Sequence, residues 1–392
     1  MEATVFGHRL TLFQLFGFQV RIDISWVLLA ILITWSLAVG YFPAVAPGLE
    51  RATYWWMGVA GLIGLAFSIV VHELAHSLVA RRFDMPIKGI TLFIFGGVAE
   101  MTEEPTSARG ELLMAIAGPL TSISVAGVLF LLAWAIGFAA GAANPAVLVI
   151  GYLAFINAIL ALFNMVPAFP LDGGRVLRAA LWGWKKDIVW ATRIAAGAGN
   201  LFGMLLIALS LFSLFVGNVV MAVWWFLIGL FVRGAATSAL DQQMAKSALS
   251  GQPVRRFMRR DVISVSPELT IDRLVEDYFY AYYFKTLPVV RNDRLVGIVT
   301  VGNAREIGRA EWPSVTVAAV MEPAEADNVI SPDADSSKAL AQMQRTGKSR
   351  LLVESGGRLT GVLSLRDLLN YLSVRFDLAG EGGAAEELRR AS

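Results

Sequence analysis

Two histidines and a glutamate set the chemistry open to this chain. His72 and His76 lie four residues apart, so on a helix both rings project from one face, and Glu73 stands beside the first. Neutral imidazole nitrogens suit a Zn²⁺ ion, and a carboxylate that does not itself ligate can act as general base toward water. The spacing therefore points to metal-assisted hydrolysis with Glu73 as the base. Five residues, His72-Glu73-Leu74-Ala75-His76, are few enough to arise on an ordinary solvated helix. Here, though, every residue from Trp55 to Val71 except Ser68 is apolar or glycine, and Leu78, Val79 and Ala80 follow. Ionisable groups in so apolar a segment are costly and mark function. The chain has only three histidines, and the third, His8, is expected at a surface or a membrane interface.

A zinc ion held by two histidines needs a third protein ligand and an open position. In the apolar half Asp172 is the best offer. It follows a long apolar run, two prolines (Pro167, Pro170) break the helix before it, and Gly173-Gly174 free the backbone after it. The competing role for Asp172 is to cap a helix starting at those glycines.

The elements that must position these groups follow from composition. With 56% hydrophobic residues, 16% charged residues and a mean hydropathy of +0.61, the chain reads as an integral membrane protein. Its charges concentrate after residue 232, so a membrane part is followed by a soluble one. A net charge of +2 is too small to argue for nucleic acid as a partner. The absence of cysteine excludes disulfides, thiolate zinc sites and a cysteine nucleophile. No cleavable leader is expected at the N-terminus.

Residues 1–23, with Leu12, Phe13, Leu15, Phe16 and Phe18 among polar neighbours, predict an interfacial segment. Six spans are then expected, from about Ile24 to Tyr41, Trp55 to Ala80, Leu112 to Phe138, Pro145 to Val166, Ala191 to Val216 and Val219 to Phe231. The second carries the histidines, and its Gly58, Gly61 and Gly64 predict close helix packing. Between the second and third, Ile87 to Glu100 is too short to span and rich in β-formers, with Gly96-Gly97 at a bend. It reads as a hairpin, either an ordinary surface one or an edge that receives an extended peptide. Lys and Arg gather on one side of the alternating spans, at Arg9, Arg21, Arg81, Arg82, Arg109, Arg175 to Lys186 and Arg233. The positive-inside rule then places both termini and the soluble part in the cytoplasm.

The soluble part repeats itself. Leu295-Val296-Gly297-Ile298-Val299-Thr300 recurs as Leu359-Thr360-Gly361-Val362-Leu363-Ser364, 64 residues on from Leu295 to Leu359, and each unit reads as strand, helix, strand, strand, helix. The expected boundaries are a membrane domain at 1–235, a linker at 236–250, repeat units at 251–314 and 315–376, and a flexible tail at 377–392.

Together, His72-Glu73-x-x-His76 and Asn164-x-x-Pro167-x-x-Pro170-Leu171-Asp172-Gly173-Gly174 resemble the site-2 protease family of intramembrane zinc metalloproteases. The resemblance implies one Zn²⁺ per chain on His72, His76 and Asp172, with Glu73 as base. Asn157 and Asn164, two helical turns apart, resemble the asparagines of the family's fourth helix. Either they contact substrate or they hydrogen-bond between helices. The Phe93 to Glu100 stretch resembles the family's re-entrant β-loop, which makes Phe95, Gly96 and Gly97 candidate substrate contacts. The implied substrate is a single-span membrane protein, cleaved in regulated intramembrane proteolysis, and leftover signal peptides are as compatible.

The repeat at 251–376 resembles a tandem of CBS domains. The resemblance implies an adenine nucleotide, ATP or AMP, at Thr300, Ser364 and Asp367, although Asn303 stands where the first copy would carry the matching aspartate. The alternative is a pair that only associates, into a homodimer or larger assembly, or that docks substrate. The fold class expected overall is a polytopic α-helical membrane protein with a re-entrant β-loop, followed by a soluble α/β tandem CBS module. The competing function is a CBS-regulated transporter or channel, in which the same polar residues form a cation path. A carrier should show several broken or charged spans, whereas here the intramembrane ionisable groups concentrate at two motifs.

Overall fold

The computed structural model describes residues 9–85, 87–94, 96–101, 105–141 and 143–378. His8, Phe95 and the tail from 379 lie outside the described residues. The chain divides into two units, residues 4–243 and a unit holding 244–392.

The first unit opens with a hairpin, β1 (Arg9–Leu15) and β2 (Phe18–Asp23), which replaces the expected interfacial segment. Its turn is Phe16-Gly17, with φ of 49° and 88°, the backbone that joins two strands through two residues. Phe18 and Val20 are buried on one side of β2 while Gln19 between them is exposed, an alternation masked in the sequence by the aromatics of β1. β2 then pairs in parallel with β3 (Ile87–Phe93), which turns back into β4 (Gly96–Met101). The sheet order is β1-β2-β3-β4, so the expected hairpin exists and β4 is an edge strand.

Asp23 ends the sheet and starts the first helix, its carboxylate accepting the Ser25 N–H at 2.9 Å. Six helical stretches among the described residues are long and apolar enough to cross a membrane. They are α1 (Ile24–Ser36), continued through a π-turn into α2 (Phe42–Val45); α3 (Arg51–Arg81); α4 (Ala108–Ala140); α5 (Pro145–Asn164); α7 (Ile188–Phe215); and α8 (Val219–Leu249). Between α5 and α7 lies the shorter α6 (Asp172–Lys185). Large apolar side chains face outward, Phe138 and Phe215 at 89% and 90% exposure, as a surface solvated by hydrocarbon requires. The glycines of α3 do bring helices together: a Cβ on Gly58 would stand 2.9 Å from the Thr34 carbonyl of α1, and one on Gly64 2.4 Å from Leu153 of α5. The linker expected at 236–250 begins differently, because α8 runs on as helix to Leu249.

The second unit contains α9 (Ile271–Leu274), β5 (Thr286–Arg291), β6 (Arg294–Thr300), α10 (Val301–Arg305), α11 (Val317–Val320), β7 (Glu322–Pro323), β8 (Val329–Ile330), α12 (Ser336–Thr346), β9 (Arg350–Ser355), β10 (Arg358–Ser364) and α13 (Leu365–Leu378). The two hairpins turn through Asn292-Asp293 and Gly356-Gly357, all at positive φ. β7 joins β6 in the first copy's sheet, whereas Arg259 from the first copy bridges Val362 in the second. The leading segment of each repeat therefore completes the other repeat's sheet, and the pair is interlocked.

Candidate metal centre

α3 carries His72 and His76 on one face, 3% and 7% exposed, as the spacing predicts. Their Nε2 atoms lie 3.1 Å apart, and Asp172 Oδ2 stands 3.2 Å from each. The three residues are the one cluster among the described residues that could hold a metal ion. Asp172 is the first residue of α6 rather than its cap, since Leu171 is the capping residue and offers no side-chain bond. Its carboxylate is turned to the imidazoles, and Leu171 holds the cap position.

The rings are oriented from behind by α4. His76 Nδ1 lies 2.7 Å from the Met114 carbonyl, which can only accept, so Nδ1 carries the proton and donates. That leaves Nε2 facing the other two ligand atoms. His72 Nδ1 is 2.8 Å from Ser122 Oγ, the corresponding support for the second ring. Tetrahedral ligands at about 2.0–2.1 Å from Zn²⁺ would be about 3.3 Å from one another. The observed triangle of 3.1, 3.2 and 3.2 Å fits that spacing, and the donor set of two imidazoles and a carboxylate is one zinc accepts.

Gly118 of α4 completes the wall. A Cβ there would stand 2.2 Å from His76 Nε2 and 2.7 Å from His72 Nε2, inside the space of the ligand atoms. Met114, Gly118 and Ser122 fall at i, i+4 and i+8, one stripe of the helix. Sequence reasoning missed these supports. A small-residue spacing on an apolar helix signals packing, and only the approach of α3 reveals what is packed.

Glu73 contributes no atom to the triangle. It faces the sheet: a Cβ on Gly97 would be 2.9 Å from Glu73 Cγ and 3.3 Å from its Oε1. The edge strand β4 thus runs beside the carboxylate. Gly96, at φ +133°, opens β4 opposite Phe93, so Gly96 and Gly97 lie in the strand beyond the bend expected there, and Phe95 lies outside the described residues. Asn157, 1% exposed, gives its amide to Ser68 Oγ at 2.9 Å and to the Leu153 carbonyl at 2.8 Å, so it joins α5 to α3. Asn164 is the last residue of α5 and half-buried.

In the second unit the candidate nucleotide residues close on themselves. Thr300 and Asn303 form a reciprocal cap on α10, with Thr300 Oγ1 donating to Asn303 Oδ1 at 2.7 Å. Ser364 donates to the Asp367 carboxylate and accepts from the Asp367 N–H at 3.2 Å, while Arg259 pairs with Asp367 at 3.1 Å.

Comparison with known proteins gives the same division. A family profile described as Peptidase family M50 matches residues 60–144 and 135–210, and one described as CBS domain matches 254–307 and 317–374. Zinc metalloprotease MJ0392 of Methanocaldococcus jannaschii is 30% identical over 374 residues, 94% of this chain and 97% of that one. Rip3 of Mycobacterium tuberculosis is 30% identical over 362 residues, 91% of each chain. The solved site-2 protease from Methanocaldococcus jannaschii, 28% identical, covers 59% of this chain and 95% of its own with a TM-score of 0.42.

Proposed function

The chain belongs to peptidase family M50, the site-2 zinc metalloproteases, with a C-terminal CBS pair, and from that premise we propose that it hydrolyses a peptide bond of a single-span membrane protein within or at the edge of the bilayer. His72, His76 and Asp172 would hold Zn²⁺, and Glu73 is the general base. When bound, the ion supplies Lewis-acid polarisation of the scissile carbonyl and of water. Glu73 accepts a proton from the attacking water and passes it to the leaving amide nitrogen as the C–N bond breaks, which regenerates the carboxylate. A helical substrate hides its amides in internal hydrogen bonds, so the span must unwind before it is cut. β4 supports that step: as an edge strand it offers backbone groups for β-addition, and Gly97 would bring the added strand to Glu73.

One observation carries this reading. Ligand atoms from α3 and α6, a hundred residues apart in sequence, converge on a triangle of zinc dimensions. The test is the zinc content of purified protein beside Asp172→Ala. Near-stoichiometric zinc in the wild type that is lost or weakened in the variant is expected. A folded wild type that takes up no zinc would overturn it. Membership in a protease family sets aside the carrier reading of the same residues.

We also propose that the termini and CBS pair are cytoplasmic, from the placement of Lys and Arg, and that the pair dimerises or assembles further. Thr300, Ser364 and Asp367 are proposed to take ATP or AMP and to modulate cleavage. Support comes from Arg259, 73% exposed at its side chain, standing on Asp367 where an anionic ligand could exchange with that carboxylate. Calorimetric titration with ATP checks this, with binding lost in Asp367→Ala.

A further inference from the structure

We propose that Glu111 of α4 and Arg178 of α6 are positioning residues for the metal centre: their buried ion pair holds Asp172 within ligating distance of His72 and His76. The proposal rests on the metal-centre reading above.

The side chains of Glu111 and Arg178 are 0% and 6% exposed. Arg178 Nε donates to Glu111 Oε1 at 2.7 Å, and Nη2 donates to the same oxygen. A buried pair is weak evidence for stability, because well-packed apolar residues in its place are often as good or better. What such a pair does well is fix a register between two elements, since either charge alone is heavily penalised. Here the register is that of α4 against α6, and the centre depends on it.

Each end of the pair is tied to a ligand. Glu111 lies three residues before Met114, whose carbonyl receives His76 Nδ1, and continues the stripe through Gly118 and Ser122 that supports both rings. Arg178 lies six residues after Asp172 on α6, about 9 Å along the helix axis. Its guanidinium also sits 5.0 Å over the ring of Phe169, in the loop that delivers Asp172, and the Phe169 N–H is held by the Ala195 carbonyl at 3.2 Å. One side chain thus grips α4, the approach loop and α6 together. Asp172 needs this grip because it opens its helix without a side-chain cap and follows two prolines.

The test uses the full chain and reads zinc affinity by competition with a chromogenic chelator, alongside the melting temperature of the metal-free protein. Arg178→Met and Glu111→Gln are each expected to weaken zinc binding about 10–100-fold, the range seen when supports of ligands are lost. The double variant is expected to be no weaker than the weaker single, and Arg178→Lys to recover part of the loss. If Arg178→Met does not fold, the double variant, which leaves no bare charge, decides the matter. Wild-type zinc affinity in a folded variant with a lowered apo melting temperature would show a merely structural pair and overturn the proposal. Losses that multiply in the double variant would overturn it as well. A wild type without zinc would instead remove the metal-centre reading on which it rests.

Discussion

Gly97 of the edge strand lies against Glu73 of the histidine-bearing helix so closely that a Cβ on the glycine would stand 2.9 Å from the Cγ of the glutamate. The contact joins the surface proposed to receive an extended substrate to the group proposed to move its proton. Gly97→Val should push β4 and the carboxylate apart. Because displacement of about 1 Å can cost about 100-fold, cleavage of a reconstituted single-span substrate is expected to fall by that order. Zinc content should stay at the wild-type level, which distinguishes a misplaced base from a damaged centre.

Glu73→Gln keeps size and burial but removes the base. Zinc stoichiometry should be unchanged, while turnover falls by about 10²–10⁴-fold. Retained turnover would remove Glu73 from the mechanism.

Gly118→Ala is expected to behave as a ligand mutation although it touches no ligand chemistry. Its Cβ would enter the space of His76 Nε2, at 2.2 Å, so the rings must swing away from Asp172. Chelator competition should show zinc binding weakened at least about 10-fold, comparable to the loss of a ligand support.

Asn157 tests the choice between substrate contact and helix packing. Its amide is occupied by Ser68 Oγ and the Leu153 carbonyl, so Ser68→Ala and Asn157→Ala should each cost about 0.6 kcal/mol, the mean for hydrogen bonds between membrane helices. Thermal denaturation measures this. A large fall in kcat with little change in stability would instead assign Asn157 to the substrate.

The soluble unit has its own pH dependence at Asp335, the cap of α12. Burial works to raise its pKa, but the Ser337 hydroxyl and the N–H groups of Gly251 and Ser337 outweigh burial and hold the carboxyl below its ordinary value. A lowered carboxyl contributes stability above the unfolded value of about 3.9 and loses it as pH falls through the folded value. Acid titration of the full chain should show this loss. Asp335→Ala should remove it and cost about 1 kcal/mol at neutral pH.

Much of the site was legible because its chemistry is local. An i, i+4 histidine pair shares a face whatever the helix packs against, and a carboxylate between two prolines and two glycines has few ordinary uses. The repeat, the six apolar runs and the β-rich stretch from Ile87 are likewise periodic or compositional signals. The N-terminal hairpin was not legible, because β2 earns its place only by pairing in parallel with β3, some seventy residues on from Gln19 to Gly89. Nor was the exchange of leading segments between the repeats, since a two-residue strand such as Glu322–Pro323 has no pattern of its own.

The sequence by itself determined which atoms could bind a metal, which carboxylate stood beside them, and which segments could live in hydrocarbon. These are properties of residue type and short-range periodicity. The tertiary structure alone decided that Asp172 turns to the imidazoles instead of capping its helix, that Met114 and Ser122 set the rings, that Gly97 meets Glu73, and that Glu111 and Arg178 face each other. Those relationships join residues tens of positions apart on separate helices and strands. They arise only when helices close to within the radius of a glycine, a distance no local pattern encodes.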